Sequence, residues 1–204
     1  MIQASIDSNI KVCKLEELLC TVPRTVTVNK FTDESALKFN RDLQEARNTG
    51  QKIIPVFIDS YGGEVYSLLS MVDAMNQITD VPIATIAIGK AMSCGAVLFS
   101  QGAEGYRFMG PRATLMIHDV SSGGHGKTEE IKADAHESER LNNLIYGLMA
   151  KGAGKEERYF WQIVQDRGRA DWYLTPDEAK RHNLANHIKI PSFKINVSYS
   201  VNFE

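Results

Sequence analysis

"VPIATIAIGKAMSCGAVLFSQGA" spans residues 81–103. Val81–Gly89 is a near-continuous apolar run, of the length and β-branched content of a buried strand. Cys94–Ala103 reads as a short helix. Between them the run stops at Gly89-Lys90, and Ser93 sits among the small residues Ala91, Gly95 and Ala96. A buried strand that feeds a helix through a tight turn is the repeating unit of a parallel α/β sheet, closed by right-handed crossovers.

The alternation continues on both sides. "TVTVNKF" from Thr25 alternates like a strand, and "DESALKFNRDLQEARNTG" is a helix with Ala36, Phe39, Leu43 and Ala46 on one face. "KIIPVFIDS" is a second buried strand in which Pro55 argues for a sheet edge or a strand start. "EVYSLLSMVDAMNQIT" carries Val65, Leu68, Leu69, Val72, Met75 and Ile78 at helical spacing. "ATLMIHDV" is a third strand. A long helix runs from about Thr128 to Ala150, polar in its first half and apolar at Leu141, Leu144, Ile145 and Leu148. "KEERYFWQIVQD" is a further helix, and "TPDEAKRHN" opens with a capping box, Thr175 and Glu178 around Pro176.

The chain has 204 residues, 43% hydrophobic and 24% charged, with a net charge of −2. That is the composition of one globular domain and gives no electrostatic footprint for nucleic acid or an anionic membrane. The N-terminus shows no basic block followed by an apolar one, and no run approaches the length of a membrane span. Cys13, Cys20 and Cys94 are odd in number and unclustered, which fits free thiols, a cytoplasmic location and no metal site or cofactor.

In parallel sheets, functional groups gather at the carboxyl ends of the strands. Ser60-Tyr61-Gly62-Gly63 lies at one such end, where glycines permit a tight turn and an outward amide, an anion donor or simply a βα turn. Ser93 lies at the second, either as a helix N-cap or as a nucleophile on a bend that matches Gly-x-Ser-x-Gly only on its C-terminal side. Cys94 reads as an inward filler and Lys90 as a solvated residue. His118 closes the third strand, and Asp119 faces the opposite way from it. A serine and a histidine at neighbouring strand ends need a carboxylate, for which Asp171 in "GRADWYLTPDEA" is better placed than Asp166 or Asp177.

Together, "IDSYGGEVYSLLSMVDAM", "AIGKAMSCGAVLFSQGAEGYRFMGPRATLMIHDV" and "DWYLTPDEAKRHNL" resemble the Clp protease family, whose proteolytic subunit is a ring-forming serine peptidase. The resemblance covers about Thr25 to Ile190. It implies a ClpP/crotonase-type α/β fold of repeated β-α units with a protruding strand-helix handle. It also implies an N-terminal arm at 1–24, a peptidase domain at 25–190 with its handle at 120–150, and a tail at 191–204. By position it makes Ser93 the nucleophile, His118 the general base and Asp171 the orienting carboxylate. The N–H groups of Gly63 and Cys94 become the oxyanion hole. A substrate strand is expected along Gly62, Glu64 and Val65 on one side and Ser121, Ser122 and Gly123 on the other. Unfolded polypeptides are the implied substrates. A homo-oligomer, a heptameric ring or stacked double ring, is the implied assembly, joined through Val120–Lys127 and Thr128–Ala150.

Departures from the family pattern are Tyr61 in place of Pro, Cys94 in place of Met, and His118-Asp119-Val120 in place of His-Gln-Pro. The apolar pore loop that would dock an AAA+ unfoldase is not recognisable in Met1–Val22. Such divergence resembles phage-encoded or accessory members. Rival readings are a catalytically silent ring subunit and an acyl-CoA hydratase or thioesterase of the crotonase type. "KINVSYSVNFE" alternates strictly, with Ile195, Val197, Tyr199, Val201 and Phe203 on one side, and reads as a strand that pairs with another sheet edge.

Overall fold

The computed structural model describes residues 23–123 and 125–194. The expected N-terminal arm falls almost wholly outside them, as do the alternating residues of the expected C-terminal strand. Parallel pairing dominates one sheet of seven strands. β1 (Val26–Val28), β2 (Ile54–Ser60), β3 (Ile83–Met92), β4 (Arg107–Met109) and β7 (His187–Ile188) lie side by side in that order. β5 (Thr114–Ile117) pairs with β3 off this path, and β6 (Trp172–Leu174) pairs antiparallel with β5.

Among the described residues six helices accompany them: α1 (Asp33–Asn48), α2 (Val65–Asn76), α3 (Cys94–Ser100), α4 (Thr128–Gly152), α5 (Tyr159–Asp166) and α6 (Pro176–Arg181). α1 buries Ala36, Phe39, Leu43 and Ala46, the face its periodicity predicts. Its N-terminus is held by a reciprocal cap between Thr32 and Ser35. α6 keeps the Thr175–Glu178 box, with Pro176 at its first position. α2 rotates slightly from expectation. Met71 and Ala74 are buried and Leu69 is only half-buried. The main core lies between these helices and the sheet, around Leu68, Leu98, Phe99 and Phe160. A smaller apolar cluster of Ala84, Ile86 and Phe108 sits apart from it, joined by Phe57 and Phe193.

Several sequence expectations are corrected. Of the two readings of Pro55, the strand start holds and the sheet edge does not: β2 is an interior strand, and Pro55, its second residue, precedes the first β1 pair, Val26↔Val56. At that point only β3 lies alongside, so the missing amide costs no ladder bond. β3 does not end at Gly89 but bends there, at φ +63°, and continues to Met92. Before the bend it pairs with β4, and after it with β5. β4, β6 and β7 are two or three residues long, too short to show any period. No strand forms between Ile117 and Thr128 among the described residues, so the strand half of the expected handle has no ladder. The helical half is present: Thr128–His136 is exposed throughout, and burial begins at Leu141. Leu144, expected inside, is exposed.

Arg107 closes the fold at β4. It is 1% exposed, yet its guanidinium donates to the carbonyls of Leu184, Asn183 and Gly102 and to Glu104 Oε2, at 2.8–3.2 Å. A buried cation is tolerated because its donors are occupied. This ties the segment after α6 to β4 and seats β7. Arg107→Ala strands three buried carbonyls. It is expected to lower unfolding free energy by about 3 kcal/mol in a urea titration, with little change in slope.

Candidate active site

Register brings the site together. In the parallel β3–β5 pair, Met92 lies opposite Met116. In the antiparallel β5–β6 pair, Ile117 lies opposite Trp172. Ser93 directly follows Met92, His118 lies two residues past Met116, and Asp171 falls opposite His118, so the three gather at one end of the sheet.

Ser93 occupies the strand-to-helix turn with φ +55° and ψ −123°, a backbone conformation strained for any residue with a side chain. Its N–H donates to Met116 O at 2.8 Å, which holds the turn. Its side chain makes no cap to α3. The hydroxyl instead meets His118 Nε2 at 2.9 Å. Ser93 therefore stands at the N-cap position of α3 without capping it through its side chain.

Gly62 makes that turn possible. At φ +109°, a Cβ there would come within 2.7 Å of Ser93 Cβ. Gly63 passes equally close to Phe31, whose carbonyl would be 2.4 Å from a Cβ. Cys94 is buried, and its thiol donates to Gly63 O at 3.2 Å. Burial pushes that thiol up, which keeps it protonated and inert. The amides of Gly63 and Cys94 donate no hydrogen bond among the described residues. Cys94 N–H is one of the first amides of α3, which a helix leaves without an acceptor.

On the far side of His118, Nδ1 lies 3.6 Å from Asp171 Oδ1, longer than a hydrogen bond, and the Asp171 side chain is half exposed. Asp119 faces elsewhere, as alternation requires. It accepts from the Tyr146 hydroxyl at 2.8 Å and lies 3.8 Å from Arg169 Nε. Burial, then Asp119, push the Tyr146 phenol far above its ordinary value, so it remains a donor. The other histidines are elsewhere. His182 bonds Tyr159 and packs edge-on to Trp172, His187 stacks on Phe108, and His125 and His136 are exposed.

Lys90 is not a free surface cation. It donates to Asp59 Oδ1 at 2.7 Å and lies 4.4 Å over the Tyr61 ring. The hydrogen bond it donates to Asp59 raises its basicity, which disfavours Lys90 as a general base. This contact pins the Ser60–Gly63 turn from outside. Asp59 escaped sequence reasoning, although it directly precedes the Ser-Tyr-Gly-Gly turn.

A pocket of about 60 Å³ opens beside Ser93, with walls of Val65, Leu68, Val97, Ile117, Ile145 and Met149 and a rim of Gly63, His118 and Ser121. The expected substrate-strand residues divide. Gly62 N–H is committed to Ser60 Oγ, and Glu64 N–H to Phe31 O. On that side only the Gly63 and Val65 amides remain available. Ser121 lines the pocket, Ser122 bonds Ser138, and Gly123 is exposed.

A family model for Clp protease matches residues 17–191. The chain belongs to the Clp protease family. The family is one of peptidases, and its members generally form oligomeric rings. The mixed α/β fold with its parallel sheet is the Clp protease fold. Against the Clp protease pattern, Tyr61 gains a lysine partner, Cys94 keeps its backbone donor, and Asp119 is held by a tyrosine from α4. Among the described residues no helix is long and apolar enough to cross a membrane.

The burial of Cys94 is testable. In a Cys13→Ser, Cys20→Ser background, native protein at neutral pH is expected to react with a thiol-specific dye at least about 100-fold more slowly than unfolded protein. Rapid native labelling would contradict the packing of Cys94 under Gly63.

Proposed function

We propose that this chain is a serine endopeptidase that hydrolyses unfolded polypeptides through an acyl-enzyme inside an oligomeric chamber. The single observation that carries the reading is the 2.9 Å contact between His118 Nε2 and Ser93 Oγ at a strained strand-to-helix turn. To accept the Ser93 proton, Nε2 must be unprotonated, which puts the imidazole proton on Nδ1, the atom that faces Asp171. The Ser93 oxygen attacks a peptide carbonyl while His118 takes its proton. The tetrahedral oxyanion is received by the Gly63 and Cys94 amides, each worth about 3–4 kcal/mol of barrier. His118 then delivers the proton to the leaving amine, and water repeats the sequence on the acyl-Ser93 ester.

The apolar walls around Ser93 suit an apolar side chain next to the cleaved bond. An extended substrate pairs with the Gly63–Val65 turn and with Ser121, a mode that excludes folded proteins. The proposed assembly is a homo-oligomeric ring, single or stacked, in the cytoplasm. An AAA+ unfoldase is its natural feeder, because a closed chamber admits only unfolded chain.

One observation favours a second reading, a silent ring subunit. The His118–Asp171 separation exceeds hydrogen-bond length, so the imidazole lacks a bonded anchor in the single chain. A fluorophosphonate probe on the purified assembly separates the two. The peptidase reading expects labelling at Ser93 that vanishes in Ser93→Ala and falls at least about 100-fold in His118→Ala. A folded assembly that takes up no probe overturns it in favour of the silent subunit.

A further inference from the structure

The stretch after His118 is laid along α4 rather than into the sheet. Asp119 Oδ1 accepts from the Tyr146 hydroxyl at 2.8 Å, and Val120 N–H donates to Asn142 Oδ1 at 2.6 Å. Ser122 and Ser138 share a 2.7 Å hydroxyl contact. The Ser138 hydrogen is already committed to Asp134 O, so Ser122 donates. Positions 138, 142 and 146 are four apart and form one stripe of the helix. The stripe is contacted in reverse order, so the segment runs antiparallel to α4. Eight helical residues rise about 12 Å, and three steps of extended chain cover about 10 Å. A curled segment would fall short of all three contacts, so residues 119–122 are stretched.

This arrangement leaves one side of the segment open. Apart from Val120 N–H, the backbone of residues 120–123 makes no hydrogen bond among the described residues. In extended chain, successive residues turn their N–H and C=O to opposite sides. With Val120 N–H committed to α4, the free pair of Ser121 turns away from the helix, and Ser121 lines the Ser93 pocket. A single strand edge is then offered where a substrate would lie.

We infer that Asn142 is a positioning residue. By holding Val120 N–H it fixes Ser121 as a preformed edge for a peptide strand and so sets how strongly the protein prefers long substrates to short ones. This rests on the peptidase reading above. Among the described residues the Asn142 side chain hydrogen-bonds neither Ser93 nor His118, and its one such partner is Val120 N–H. Sequence reasoning passed over it because it stands beside Leu141 on a face read for its apolar residues.

The test compares a ten-residue internally quenched peptide with a capped tripeptide reporter. Both carry the same apolar residue before the cleaved bond. In Asn142→Ala the ratio of kcat/KM values, long over short, is expected to fall about tenfold, the factor carried by one hydrogen bond. Asn142→Asp keeps the acceptor and is expected to restore the ratio to within about twofold. Thermal melting of each variant verifies folding. An unchanged ratio in Asn142→Ala, or an equal fall in Asn142→Asp, overturns the assignment while leaving the peptidase reading intact. An unchanged ratio with an altered particle mass also overturns it and gives the edge to a subunit contact. Wild-type protein that cleaves neither reporter removes the peptidase reading itself.

Discussion

Everything at the site depends on the backbone of Ser93. Its conformation costs about 1–3 kcal/mol relative to an ordinary turn. Three contacts hold it: the hydrogen bond from Ser93 N–H to Met116 O, the close passage of Gly62, and the burial of Cys94 beneath Gly63. Relaxing the turn would carry the hydroxyl away from His118. A serine that served only as a helix cap would have extended backbone and a side chain folded onto α3. The protein maintains the strained alternative.

The sheet is shaped to the same end. Gly89 bends β3 so that its first half pairs with β4 and its second half with β5. Without the bend, β5 would have no place beside Met92, and His118 would have no route to Ser93. β6 then completes the level by returning antiparallel, which sets Asp171 opposite His118. Three residues far apart in the chain are aligned by two ladders, and Arg107 locks the segment that follows onto β4.

The open features of the single chain lie close to one another in sequence or across one ladder. Asp171 is half exposed and short of a hydrogen bond, the backbone of 121–123 makes no hydrogen bond among the described residues, and the first nine residues of α4 are exposed. By contrast, Ser93, His118 and the two free amides are set within a single protomer. The Ser93–His118 contact is thus made within one chain, while the features around it stay open.

How much of this was legible depended on range. The α1 face, the two long buried strands and the α6 cap were readable, because each is decided by neighbours within a few residues: apolar period, β-branched runs, a Thr-Pro-x-Glu start. The candidate residues at strand ends were also legible, since a parallel sheet collects them there. β4, β6 and β7 were not, because strands of two or three residues carry no period. Nor was the Gly89 bend, the pairing of Lys90 with Asp59, or the stripe of Ser138, Asn142 and Tyr146, whose meaning lies in what faces them. The sequence alone determined the longer elements and the candidate side chains at their ends. Only tertiary pairing decided their register, and with it the distance from hydroxyl to imidazole. Register is set by the summed burial and hydrogen bonding of whole strands, which no local stretch contains.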